Sequence, residues 1–391
     1  MKRIAVIATI YRHLSHGQHF IDRFLVGYPW EGRWHRPDMK VVSLYVDQRP
    51  PDDQSVDRAR EFGFEIYPTI AETLCCGGDK LDVDAVVIIG EHGEYPKNEL
   101  EQKLYPRYEF FKECVGVFDA EGRGVPVYND KHLSYSFTKA KEMVDDAARL
   151  DFPLLAGSSL PVTWRLPDLE LPLDCDIDCA LTIGVGGSDV MDYHVMETMQ
   201  AFVERRKGGE TGVKAVQLLD GDAAWKAGED GGYSEELLEA GLSRCDHPLG
   251  LTVEDGRTQD LLGSGELKKL VEKPALYRID YADGFETAML LLPGGIKDTA
   301  FAARLKGDDT VHSCQIFTTP TPNVTYSASL VSRIEEMIVT GTSPIPAERN
   351  LITCGMLENC LISRHQNHRR VDTPQLDVTY RPPETPQHAY T

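Results

Sequence analysis

The chain has 391 residues, of which 41% are apolar and 26% charged, and its formal net charge is -21 at pH 7. That length exceeds one ordinary domain and predicts two units with their own cores, while the composition excludes disordered and fibrous classes. A surface this anionic opposes nucleic-acid phosphates and acidic lipid, so the expected partner is a small molecule.

The nine cysteines show no regular spacing and no C-x-x-C pair, so reduced and mostly buried thiols are expected rather than a disulfide framework. The amino terminus runs into Ile4 to Thr9 without a signal segment, and no apolar run approaches the ~20 residues needed to span a bilayer. A cytoplasmic protein is expected.

In chain order, Lys2 to Ile10 (K-R-I-A-V-I-A-T-I) is a continuous apolar run after two cations, the pattern of a parallel strand buried on both faces. A loop follows, and then Phe20, Ile21, Phe24 and Leu25 recur at helical spacing. Val41 to Val46 gives a second strand ending at Asp47, with a helix near Asp57 to Phe62. Ile66-Tyr67, Ile70 to Cys75 and Asp84 to Ile89 read as strand, helix and strand. Leu100 to Cys114 is aromatic and helical in period; Val125 to Tyr128, Phe137 to Leu150 and Phe152 to Ala156 read as strand, helix and strand. Repeated units of this length predict a Rossmann-like parallel sheet over residues 1–161.

A proline-rich, acidic crossing from Leu166 to Pro172 separates this unit from the next. Asp178 to Val185 alternates like a half-buried strand, Gly186-Gly187 breaks it, and a helix is predicted from Met191 to Arg206. Val213 to Leu219, Leu276 to Tyr281, Glu286 to Leu292 and Thr299 to Lys306 read as strands of an antiparallel sheet. Ser234 caps a helix reaching Ser243, with Glu235 and Glu236 in its first turn. Helices at Ser329 to Val339 and Leu351 to Arg364 complete an α+β unit over residues 162–370, and 371–391 is a Pro-rich tail. The predicted class is therefore α/β followed by α+β.

In an open α/β sheet, ligands sit outside the carboxyl ends of the strands. Asp130, Lys131 and His132 follow one predicted strand, and Glu91, His92, Glu94 and Tyr95 follow its neighbour, so the two polar clusters converge. A lysine near imidazoles and carboxylates has a tunable pKa, and a neutral histidine is a general base. After the first strand a pyrophosphate would be cradled, yet Ala8 to His13 contains no glycine before Gly17. Ile10 and Tyr11 should then block close backbone approach, unless the loop runs wide and Arg12 or the cap at Ser15 holds the phosphate. Asp47 stands where ribose hydroxyls would be accepted. His13, His16 and His19 recur every three residues, and a metal would take His16, His19 and His92. Asp189, Asp192, Tyr193 and His194 open the long second-unit helix, where Glu197, three residues on, would orient His194. Plainer readings stand beside these: a solvated turn for Asp130 to His132, a turn residue for Asp47, a helix cap or cleft lining for His16 and His19, and a surface position for His194.

Together the Rossmann half, Asp47, the D-K-H in place of E-K-P, the His194 helix and the run Pro344 to Leu357 (P-I-P-A-E-R-N-L-I-T-C-G-M-L) resemble the glucose-fructose oxidoreductase, inositol dehydrogenase and rhizopine catabolism family (Gfo/Idh/MocA) over nearly the whole chain. The resemblance implies a Rossmann domain that binds NAD or NADP and a second domain whose open sheet supplies substrate contacts and a homo-oligomer interface. By position, Lys131 would hydrogen-bond the reacting hydroxyl and the nicotinamide ribose, His194 would accept the proton, and His132 would stand beside them. Thr9, Tyr11, Arg12, Asp47, Glu91 and His92 would line the cofactor. Glu94, Tyr95, Trp164, Arg165, Asp192 and Tyr193 would meet the substrate, a hydroxyl of a sugar, cyclitol or related polyol. The alternative is a non-redox lyase or hydrolase on the same fold, acting on a sugar or keto-sugar, with a divalent metal as its cofactor in one version.

Overall fold

A computed structural model of the protein describes residues 1–318 and 325–390. The first unit is a six-stranded sheet that reads, across its width, Glu65–Ile66, Met39–Val46, Lys2–Ala8, Ala85–Ile89, Val127–Asp130 and Leu154–Gly157, every pairing parallel. Its central strands are apolar runs with helices on both faces, so Ile4 to Ala8 and Ala85 to Ile88 are fully buried. The chain builds outward from Lys2–Ala8 to one side, then returns to its other side at Ala85–Ile89. Between the carboxyl ends of those two strands lies the switch point at which such sheets bind ligands.

The second sheet has eight strands, in the order Val371–Asp372, Val213–Asp220, Ala275–Tyr281, Glu286–Leu291, Ile177–Gly184, Thr299–Leu305, Val311–Ile316 and Arg165–Leu166. It is antiparallel apart from the parallel pair Ile177–Gly184 and Glu286–Leu291. Two long helices, Asp189–Val203 and Ala347–His365, lie on its inner face and share one core with the first unit's Phe137–Arg149 helix. Its other face packs on the Glu235–Leu242 helix, whose amino-terminal Ser234 accepts from the Leu237 amide as the sequence predicts. Helix Ser327–Thr340 returns to the first unit, where Ala328, Val331, Ile334 and Ile338 join the cluster around Phe20 and Phe24 of helix His16–Val26.

Two expectations shift. The helix expected to begin at Leu100 starts instead at Arg107 and runs to Glu121. Asn98 Oδ1 accepts from both the Leu100 and Gln102 amides, which curls the preceding segment into a loop, and Pro106 then starts the helix. The proline-rich tail is built into the second unit: Val371–Asp372 adds an edge strand, Thr379–Tyr380 pairs with Glu210–Thr211, and His388 sits between Asp168 and Glu170.

Candidate active site

Loops from the ends of three neighbouring strands meet at the switch point. Lys131 is the first residue after Val127–Asp130, and its φ of 61° is a left-handed conformation that a non-glycine residue holds only when its surroundings impose it. Here they do: its amide donates to Gly157 O at 3.0 Å, and its carbonyl accepts from Asn350 Nδ2 at 2.9 Å. The turn sends Nζ into a buried ion pair with Glu91 Oε1 at 2.5 Å. Glu91 lies two residues beyond Ala85–Ile89, and its second oxygen is 3.5 Å from His16 Nδ1 and 4.0 Å from Arg107 Nη2. His16 opens its helix after the Ser15 cap and also meets Asp130 Oδ2 through Nδ1 at 2.9 Å.

Arg107, 1% exposed, braces this arrangement from beneath. Its Nε donates to Asp130 O at 3.0 Å and its Nη1 faces His132 Nε2 at 3.2 Å. Gly90 makes room for it, since a Cβ there would stand 2.5 Å from Arg107 Cγ. The buried Glu91 carboxylate thus faces two buried cations, Lys131 and Arg107, while the buried Asp130 carboxylate meets His16 and the Tyr128 hydroxyl. Burial alone would raise the Glu91 carboxyl, but His16, Lys131 and Arg107 together hold it well below the usual carboxylate range.

The second unit reaches in through Asp189–Val203, capped by Ser188. Asn350, from Ala347–His365, donates through the same Nδ2 to the Tyr193 hydroxyl and to Lys131 O, while its Oδ1 accepts from the Leu133 amide at 2.9 Å. One amide therefore locks the Lys131 turn onto the helix that carries His194. Burial pushes the His194 imidazole well below its ordinary pKa, and the nearby Lys131 cation pushes it the same way. His194 is a neutral base at physiological pH, and its Nδ1 is buried without a hydrogen-bond partner among the described residues.

Glu197 does not orient His194. It turns the other way, its Oε2 accepting from Ser158 N at 2.8 Å and Ser158 Oγ at 2.7 Å, and so it clamps the end of the last parallel strand. The fit is close: Gly157 has φ +144°, and a Cβ on it would stand 2.4 Å from Glu197 Oε1. Burial pushes this carboxyl up to about 7 from its ordinary 4.5, against the lowering by Ser158. An acid whose folded pKa is raised favours the folded state in its protonated form, so that contribution is full below about 4.5 and is lost as pH rises through about 7. Replacing Glu197 by glutamine is therefore expected to flatten the fall in Tm between pH 5 and pH 8. A wild-type minus variant difference that stays constant across that range contradicts the assignment.

Several sequence-predicted residues are placed elsewhere. Thr9 and Tyr11 are fully buried and cannot line a cofactor: Thr9 Oγ1 donates to Glu91 O at 2.6 Å, and the Tyr11 hydroxyl points inward to Asp22 Oδ1 at 2.5 Å. Arg165 is buried over the Phe202 ring and donates to Leu169 O, so its role is packing rather than substrate contact. Trp164 lies beside Trp30, the ring centroids 6.2 Å apart and the planes tilted by 50°. His132, 2% exposed, lies under the turn between Arg107 and the Tyr193 ring, a supporting place and not a catalytic one; Tyr193 is likewise buried and holds Asn350. Glu94 is tied through its backbone to Gln48, and Tyr95 donates to Asp47 Oδ2 at 2.6 Å, just past the carboxyl end of Met39–Val46. Asp192 accepts from Tyr277 and the Gly187 amide and lines a cavity of about 820 Å³ that also takes in Glu91, Tyr105, Asp189 and Arg364. That volume lies in the range of small-molecule sites. Of the expected metal set, His16 and His92 come together, but Glu91 takes the place of His19.

Arg107, Asn350 and Ser158 were missed. Arg107 hides in an aromatic run that reads as ordinary helix, and Asn350 and Ser158 act through partners 219 and 39 residues away, a distance that no local pattern spans.

No protein-family model and no curated protein sequence matches this chain. Solved structures do match, in fold. GenD2 from gentamicin A biosynthesis, in complex with NAD, is 12% identical with a TM-score of 0.56, covering 95% of this chain and 96% of that one. Myo-inositol dehydrogenase from Lactobacillus casei, in complex with NAD(H) and myo-inositol, is 11% identical with a TM-score of 0.55 over 95% of this chain and 97% of that one. A probable dehydrogenase from Thermotoga maritima is 11% identical at a TM-score of 0.57, covering 96% and 99%. The chain has the fold of these dehydrogenases, the fold that the resemblance implies.

A dinucleotide fits this crevice at its two ends and not through its middle. At one end Asn350 ties the Lys131 turn to Tyr193, the neighbour of His194, and buried atoms of Glu91, His92 and Arg107 have no hydrogen-bond partner among the described residues. At the other Asp47 is exposed; it accepts from Tyr45 and Tyr95, and a carboxylate has capacity for further donors. Between them the phosphate segment is closed. Thr9 is bonded to the Glu91 backbone on one side, Gln54 N donates to Tyr11 O at 2.8 Å on the other, and Ser15 Oγ accepts from both Arg12 N and Gln18 N. Arg12 and His13 are exposed beside this segment and are the side chains that would meet phosphates.

Proposed function

We propose that the protein is an oxidoreductase acting on a hydroxyl of a sugar, cyclitol or related polyol with NAD or NADP. The observation that carries this reading is the convergence of Lys131 and His194, from different units, on one buried crevice locked by Asn350. Lys131, already charge-paired with Glu91, donates a hydrogen bond to the reacting oxygen, and neutral His194 takes its proton. The nicotinamide, when bound, accepts the hydride. Arg12 and Asp47 are the residues that would hold the nucleotide, Arg12 on the phosphates and Asp47 on the ribose.

Titrating NADH and NADPH while following tryptophan fluorescence tests the reading. Binding at micromolar concentration, weakened about tenfold by Arg12→Ala, is the expected result, since a phosphate contact by a cation is worth on the order of 1–2 kcal/mol. Absence of binding at millimolar nucleotide ends it.

The closed phosphate segment favours a second reading, a non-redox lyase or hydrolase in which Lys131 and His194 move protons at a sugar or keto-sugar without a nucleotide. Turnover of such a substrate by nucleotide-free protein distinguishes it.

A further inference from the structure

We propose that His16, Glu91 and His92 form a three-ligand site for a divalent first-row metal ion of the zinc class. One ligand atom from each of the three lies within 4.8 Å of the other two. Tetrahedral zinc, with bonds of about 2.0–2.2 Å, holds its ligands somewhat closer than this, so closing on an ion takes a shift of roughly 1 Å.

The carboxylate is already divided for such a role. Glu91 Oε1 is committed to Lys131, while Oε2 is buried without a hydrogen-bond partner among the described residues. His92 Nε2 is likewise buried and unpartnered. Glu91 Oε2 has only His16 Nδ1 at 3.5 Å and Arg107 Nη2 at 4.0 Å as neighbouring cations, both beyond hydrogen-bonding geometry, so it keeps a lone pair for an ion. Asp130 Oδ2 is 2.9 Å from His16 Nδ1, which also lies 3.5 Å from Glu91 Oε2; an ion would therefore be bound by Nε2 with Asp130 orienting the ring through Nδ1, the way a carboxylate orients a metal-ligating imidazole. His92 keeps a left-handed φ of 68°, a strained backbone that places its ring 5.4 Å from that of His16.

Two nitrogens and one oxygen suit zinc, cobalt, manganese or iron(II) rather than magnesium or calcium, which prefer all-oxygen shells. Three protein ligands leave a coordination position open, the mark of a catalytic rather than a structural site, and there the ion would polarise an oxygen of the substrate. The inference is independent of whether a nucleotide binds.

The test uses the full-length protein stripped with a chelator and titrated calorimetrically with Zn²⁺ and with Co²⁺, reading the visible absorption of bound cobalt. The expected result is one equivalent bound at micromolar concentration or tighter. His16→Gln and His92→Gln are expected to weaken it by ~100-fold or more, and Asp130→Asn by roughly 10–100-fold, with His19→Gln within about twofold of wild type. Melting curves establish that each variant is folded. Failure of the wild type to bind either ion at millimolar concentration overturns the site, as does unchanged affinity in both histidine variants. Nucleotide binding by the stripped protein is measured separately, so failure of the metal site and failure of the oxidoreductase reading are distinguishable.

Discussion

His194→Ala is expected to lower kcat by roughly 10²–10⁴-fold on any polyol that the wild type oxidises, the range for removing a positioned general base. The carboxylates nearest to it are otherwise engaged. Glu91 is engaged by Lys131, Asp130 by His16, and Glu197 is turned to Ser158. The neighbouring Tyr193 hydroxyl is pushed far above its ordinary pKa by burial and cannot lose its proton at working pH. Because burial and then the Lys131 cation hold the His194 imidazole well below its ordinary 6.5, the acid limb of the pH–rate profile should lie below that ordinary value. KM should change far less than kcat, since the ring acts on a proton in flight. A variant that keeps turnover within threefold of wild type, or an acid limb at 6.5 or above, removes His194 from the chemistry.

The second large effect is on stability. Lys131→Met strands Glu91, 5% exposed, without its closest counter-charge, and breaking a buried pair from one side costs about 3–5 kcal/mol. Removing the carboxylate as well, in Lys131→Met with Glu91→Gln, should recover most of that loss, because no unpaired charge is left behind. Urea denaturation of the two single variants and the double variant measures the coupling. A double variant whose loss equals the sum of the singles means that the two groups do not interact in solution, and the 2.5 Å contact then carries no weight.

Much of the fold is legible in the residues because parallel α/β units write themselves locally. Apolar β-branched runs such as Ala85 to Ile89 have to be buried on both faces, and a buried strand joined to a helix closes in one hand. The Ser234 cap could be read to the residue for the same reason, since a cap satisfies amides two or three positions away. The helix expected at Leu100 failed because its aromatic periodicity says nothing about Asn98, whose side chain competes for the backbone amides that a helix would use.

At the site, which residue types sit at the carboxyl edge is a property of sequence order: Asp130 ends its strand, and Lys131, Glu91 and His92 follow theirs, whatever else the chain does. Their partners are not such a property. Whether Glu197 faces His194 or Ser158, whether Thr9 lines the crevice or seals it, and whether His19 or Glu91 completes a set with His16 and His92 all depend on which chain segments pack across the switch point. Spacing along a helix fixes which side chains share a face, but hydrogen bonds and ion pairs form by direct contact over about 3 Å, and contacts such as Asn350 with Lys131 exist only once two distant segments have folded together.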